Sequence, residues 1–131
     1  MRLLIDTQIF IWAVMESENL SAQTRQIMLD ATEVFVSAAS IWEIAIKARL
    51  GRLEGDPSEF VAAIDQSGFS ELVISARHAA MVHQLPLHHR DPFDRMLVAQ
   101  ALSEPLRLLT SDRMLSQYSE LVMTVQSPRI S

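Results

Sequence analysis

Short apolar runs recur along the chain, and the segments between most of them carry apolar residues at helical spacing. That alternation most constrains what the chain can fold into. Leu3-Leu4-Ile5, Val34-Phe35-Val36, Leu72-Val73-Ile74, Leu106 to Leu109 and Leu121 to Val125 read as short buried strands. Phe10, Ile11 and Val14 repeat at helical spacing directly after the first run, and Ser21 stands as an N-cap for a helix carrying Ile27 and Met28. Ser37 or Ser40 caps a helix that runs to about Leu50 and stops at Gly51. Asp56-Pro57 opens another through Phe60, Val61 and Ile64, ending near Gly68. Ser75 starts a helix over Ala79, Val82 and Leu85 that Pro86 ends, Pro92 heads a long helix through Leu102, and Asp112 to Tyr118 form a short one. Parallel neighbours need crossover connections, so the expected fold is an α/β three-layer sandwich. Its central, mostly parallel sheet has about five strands, with helices on both faces.

Length and charge narrow the function. The 131 residues suit a single domain, and 49% apolar against 21% charged residues argues for a packed core rather than disorder. With no cysteine, neither a disulfide framework nor a thiolate zinc site is available. The opening Leu3-Leu4-Ile5 is closed by Asp6, too short for a signal sequence, and no stretch approaches the roughly 18 apolar residues of a membrane span. The expected location is cytoplasmic, with no membrane partner. A net charge of −5 disfavours phosphate binding on average, but four acids committed to a metal site account for most of it. The bases left include a local run at His88, His89, Arg90 and Arg95, which is also what a solvated loop looks like. No glycine-rich phosphate loop supports nucleotide-driven chemistry.

Four carboxylates are candidates for chemistry, and each has a plainer explanation. Asp6 ends the first strand, where it either caps the next helix or stands in the crevice at the carboxyl ends of the strands. Glu43 lies in Ala38-Ala39-Ser40-Ile41-Trp42-Glu43-Ile44-Ala45-Ile46, apolar almost all round. Lys47 offers it an i,i+4 pair worth only about 0.2–0.5 kcal/mol on a surface, little against the cost of burying a carboxylate. Asp94 fits the acid at the third position of a helix capped by Asp91, yet Leu97, Val98 and Ala101 place it on the inward stripe. Asp112 follows Leu108-Leu109-Thr110-Ser111, where it or Ser111 also reads as a cap. Caps have no reason to converge. A metal site does.

Other residues weigh less. His78 and His83 turn to different helix faces and His88-His89 are adjacent in a loop, so the histidines do not suggest zinc. Trp12 and Trp42 sit among apolar residues at helical spacing, as core or interface aromatics do, and base stacking is the alternative. The stretches Phe10 to Val14 and Phe60 to Ile64 suit either an interface or the core.

Taken together, Leu4-Ile5-Asp6-Thr7, Ser37-Ala38-Ala39-Ser40-Ile41-Trp42-Glu43, His88-His89-Arg90-Asp91-Pro92-Phe93-Asp94-Arg95 and Leu109-Thr110-Ser111-Asp112 resemble the PIN-domain ribonucleases of the VapC toxin kind. The resemblance extends over essentially the whole chain. It implies that Asp6, Glu43, Asp94 and Asp112 fall on the family's four acidic positions, and Thr7, Thr110 and Ser111 on neighbouring hydroxyl positions that orient carboxylates or waters. It also implies an RNA substrate, a cognate antitoxin and a homodimer. Oxygen ligands without His or Cys suit Mg²⁺ or Mn²⁺, and the expected reaction is metal-assisted hydrolysis of an RNA phosphodiester. Asp6 and Asp94 are expected as principal ligands, Asp112 as a ligand directly or through water, and Glu43 as a ligand or the group polarising the attacking water. Lys47, Arg90 and Arg95 are candidates for substrate phosphates or for surface ion pairs. Two other readings remain: a catalytically silent PIN-type interaction module, and a phosphatase with Asp6 as nucleophile. The second expects another Asp two residues on, where Gln8 stands.

Overall fold

The computed structural model describes residues 1–125, so the last six residues of the expected 1–131 domain lie outside the described residues. Among the described residues, five strands form one sheet in the order β3-β2-β1-β4-β5, and every pairing is parallel. The strands are β1 (Arg2–Ile5), β2 (Glu33–Ser37), β3 (Ser70–Leu72), β4 (Arg107–Thr110) and β5 (Val122–Thr124). Helices α1 (Thr7–Val14), α2 (Ala22–Asp30), α3 (Ala38–Arg49), α4 (Pro57–Gln66), α5 (Ala76–Met81) and α6 (Pro92–Ser103) connect them, with 3₁₀ turns at Val82–Gln84 and Arg113–Gln117. The three-layer α/β expectation holds.

Alternation along the strands divides the core. Leu3, Ile5, Val34, Val36 and Leu109 pack on one face with Phe10, Phe60 and Ile64, while Leu4 and Leu108 pack on the other with Leu97, Val98 and Leu115. Phe10 and Phe60 meet edge to face at 6.0 Å, and both are buried. The apolar residues of Phe10 to Val14 and Phe60 to Ile64 therefore belong largely to the core, not to an interface.

The helix starts follow the caps read from the sequence. Asp6, Ser21, Ser37, Asp56, Ser75 and Asp91 each accept a backbone N–H in the first turn that follows. Gly51 takes φ 73° just beyond α3, a conformation that costs glycine least.

Three expectations shift. The third strand is Ser70–Leu72 rather than Leu72 to Ile74, and Val73 and Ile74 are exposed. Its partner explains this: Leu72 is level with Ser37, and at Ala38 the neighbouring strand gives way to α3, so Val73 has no β2 residue beside it. The helix begun at Ser75 is α-helical only to Met81 and tightens into the 3₁₀ turn before Leu85. Ser37, not Ser40, caps α3, which moves Glu43 into the second turn of that helix.

Strand β1 is central, with β2 and then β3 to one side and β4 and then β5 to the other. The chain order reverses direction at β1, and such a reversal opens a crevice at the carboxyl ends of the strands. Asp6 is the first residue beyond β1 at that end.

Candidate active site

Register places the innermost group. Ile5 is level with Leu109, and the Asp6 N–H donates to the Leu109 carbonyl at 3.0 Å, which brings Asp6 alongside Thr110. The Thr110 hydroxyl donates to Asp6 Oδ2 at 2.6 Å, while Asp6 Oδ1 accepts the Ile9 N–H at 2.8 Å and caps α1. The plain capping reading of Asp6 is thus correct and does not exclude the other. Only 5% of Asp6 is exposed. Burial pushes its carboxyl up to about 6, against the lowering effect of hydrogen bonds from Thr110, Ile9 and the Ser111 backbone, with Glu43 repelling from nearby.

Asp94 is the third residue of α6, and Asp91 is the cap, its Oδ1 accepting the N–H groups of Phe93 and Asp94 at 2.9 and 3.0 Å. Relieved of capping, the Asp94 carboxylate faces other acids. Burial first, then the charges of Asp91, Asp6 and Glu43, push it up to about 7, and His89 works the other way. Glu43 is buried on α3: Oε2 pairs with the Lys47 ammonium at 2.8 Å, and Oε1 has no hydrogen-bond partner among the described residues. Asp112 caps the 3₁₀ turn through Oδ1, which accepts the Met114 N–H at 2.9 Å, and its own N–H donates to the Thr110 hydroxyl at 3.0 Å.

These four acids line one cleft of about 250 Å³, together with Gln8, Lys47, Asp91 and Ser111. Strand ends supply Asp6 and Asp112, and two helices supply Glu43 and Asp94.

The remaining candidates divide. Thr110 touches Asp6 directly, and Thr7 and Ser111 line the cleft, the Thr7 hydroxyl donating to Ser40 Oγ at 2.8 Å and bracing α1 against α3. Lys47 reaches the cleft, already paired with Glu43. Arg95 does not face it as a phosphate contact: its guanidinium donates to the carbonyls of Pro86 and Val82 at 3.0 and 3.1 Å and to the Tyr118 hydroxyl at 3.2 Å. Five donors in a rigid plane suit that stapling of a loop. Arg90 lines a separate groove with Trp42 and Phe93, whose rings meet edge to face at 5.1 Å. Trp42 is neither core nor covered, being 60% exposed.

His89 was missed. Its Nε2 lies 2.9 Å from Asp112 Oδ2 and 3.4 Å from Asp94 Oδ2, so the expectation of a site without histidine needs correcting. One atom each from His89, Asp94 and Asp112 fall within 4.8 Å of one another, close enough to hold a metal ion. Its place in the site depends on Asp112, 23 positions away, while Asp91, two residues on, donates its N–H to His89 Nδ1 at 3.1 Å and ties the imidazole to the helix cap.

A hard divalent cation fits this donor set. The carboxylates of Asp6 and Asp94 are driven toward protonation by burial and by other acids, and Glu43 Oε1 is buried without a partner. Both conditions are relieved by a positive charge with oxygen ligands.

Comparison with known proteins bears on the family and the fold. The family model for the PIN domain matches residues 3–121. No curated protein sequence matches the chain. Among solved structures, the chain is similar to one in the VapBC2 complex of Rickettsia felis bound to a fragment of promoter DNA, at 12% identity and TM-score 0.68, covering 95% of this chain and 98% of that one. A chain of DNA-bound VapBC from Salmonella typhimurium gives 16% identity and TM-score 0.67 over 95% and 97%. One from a toxin-antitoxin complex of Klebsiella pneumoniae gives 18% and 0.66 over 93% and 96%. At these identities the likeness is one of fold.

Proposed function

The chain belongs to the PIN domain family, and from that premise we propose that it is a Mg²⁺- or Mn²⁺-dependent endoribonuclease, the toxin of a VapBC-type pair. Asp6, Glu43, Asp94 and Asp112 hold the cation in this reading. The observation that carries it is that four acids from distant segments line one cleft whose carboxylates lack enough positive charge of their own. Structural likeness to chains of toxin–antitoxin complexes supports the toxin assignment and a protein antitoxin as partner. A cytoplasmic location, a homodimer and a single domain over 1–131 complete the proposal.

When bound, the cation supplies charge against the phosphate and makes water easier to deprotonate. The chain does the rest. Thr110 fixes the rotamer of Asp6 through Oδ2, and the Asp91 cap leaves the Asp94 carboxylate free for the cleft. Glu43 Oε1 is an open acceptor, either for the cation itself or for a proton of the attacking water, and Lys47 steadies Oε2 of the same carboxylate. Gln8, exposed on the cleft wall, is placed to donate to a substrate phosphate. A phosphatase built on Asp6 as nucleophile is disfavoured, because Gln8 stands two residues on, where that chemistry expects a second Asp.

The test is incubation of pure protein with structured RNA and Mg²⁺, with and without a chelator, beside an Asp6→Asn variant. Cleavage that needs the cation and is lost in the variant is expected. Cleavage that persists with chelator, or in the variant at the same rate, contradicts the assignment.

A further inference from the structure

We propose that His89 is a positioning residue that holds Asp112 and Asp94 in place for the cation by donating a hydrogen bond, and is not itself a ligand. This rests on the cation site proposed above. The tautomer of the ring decides between the two roles. A backbone N–H only donates, so the Asp91 N–H makes His89 Nδ1 the acceptor, and the neutral ring then carries its proton on Nε2. That N–H points at Asp112 Oδ2, 2.9 Å away, with Asp94 Oδ2 at 3.4 Å. A nitrogen that bears a proton has no lone pair for a metal. Ligation needs the opposite tautomer, which sets Nδ1–H against the Asp91 N–H.

The backbone that carries the ring is held as well. Arg95 donates to the Pro86 carbonyl and to the Tyr118 hydroxyl, and the His89 backbone N–H donates to that same hydroxyl at 2.9 Å. A continuous path of hydrogen bonds therefore runs from α6 through Arg95 and Tyr118 to His89 and on to Asp112. Asp112 needs it. Its side chain is 36% exposed, and among the described residues its Oδ1 is engaged only in capping a single 3₁₀ turn, so without His89 the Oδ2 side loses its anchor. Groups that orient a metal-binding carboxylate typically contribute about 10–100-fold in metal affinity.

Ring-¹⁵N-histidine spectra of the cation-free protein test the tautomer without any substitution: His89 with bare Nδ1 and protonated Nε2 is expected, and the reverse overturns the proposal. Mn²⁺ titration of the parent, His89→Leu, His89→Gln and Tyr118→Phe proteins tests the role. His89→Leu is expected to weaken Mn²⁺ binding about 10–100-fold. His89→Gln, which keeps a donor, recovers most of that loss, and Tyr118→Phe loses less than His89→Leu. Electron spin echo modulation of bound Mn²⁺ is expected to lack the signature of a directly coordinated imidazole nitrogen. Its presence, or unchanged Mn²⁺ affinity in folded His89→Leu, contradicts the proposal. Should His89→Leu fail to fold, the Gln and Phe variants and the parent spectra still decide. A parent that binds no divalent cation sinks the functional reading as well, whereas a parent that binds and a folded Leu variant that binds equally sinks this inference alone.

Discussion

Asp6 and Asp112 follow the two adjacent strands β1 and β4, each written as an apolar run closed by an acid, yet they end in different surroundings. Asp6 follows Ile5 directly and is level with Thr110, so it sits 95% out of solvent between the strands, with both oxygens engaged. Asp112 comes two residues after Thr110, in the turn beyond the sheet, with its side chain 36% exposed and its oxygens held by the Met114 N–H and by His89. One makes the floor of the cleft and the other its rim. A strand that ends in an acid thus does not determine the acid's environment; the offset of that acid from the last paired residue does.

Asp6→Asn breaks the comparison hardest. Removing a floor carboxylate is expected to lower RNA cleavage by at least about 10²–10³-fold, the equivalent of several kcal/mol of transition-state stabilisation, whereas Asp112→Asn at the rim costs about tenfold less. Single-turnover rates on one RNA decide it, and equal losses would erase the distinction.

The floor also has a pH signature. Asp6 and Asp94 titrate near 6 and 7 when folded but near 3.8 when unfolded, so the cation-free folded state keeps protons that the unfolded chain releases. The stability this contributes is complete below the unfolded value and is lost as pH rises through 6 and 7. Cation-free protein is therefore expected to be more stable at pH 5 than at pH 8, by about 2–4 kcal/mol from these two groups. Added Mg²⁺ should stabilise it more at pH 8 than at pH 5. Denaturant midpoints at both pH values, with chelator and with Mg²⁺, measure this, and a cation-free protein that gains stability toward pH 8 would contradict it.

Thr110 links floor to rim, donating to Asp6 and accepting from the Asp112 backbone. Thr110→Val removes both bonds at nearly constant volume and is expected to cost about 1–3 kcal/mol of stability, together with a loss of cation affinity read by titration. Arg95→Met has the smallest effect on chemistry: it unpins the Pro86 to Asp91 loop, lowers stability by about 1–2 kcal/mol, and leaves the salt dependence of RNA binding unchanged. A flatter salt dependence would return Arg95 to the phosphate-contact role.

Much of this was legible because it is local. Caps at Asp6, Ser21, Asp56, Ser75 and Asp91 are read from one residue and the turn after it, and the strands from runs of Leu, Ile and Val. What escaped depends on partners distant in sequence. The third strand slid because its neighbour leaves the sheet at Ala38. Arg95 reads as a free base until the carbonyls of Val82 and Pro86 and the Tyr118 hydroxyl come within reach. His89 joins the site only once the turn after β4 brings Asp112 to it, a contact across 23 positions.

The most direct test of the convergence of these acids is an anomalous-scattering map of crystals soaked in Mn²⁺. A peak is expected in the cleft at coordination distance, about 2.1–2.3 Å, from oxygens of Asp6 and Asp94. A peak bound only outside that cleft, or none at saturating Mn²⁺, would contradict it.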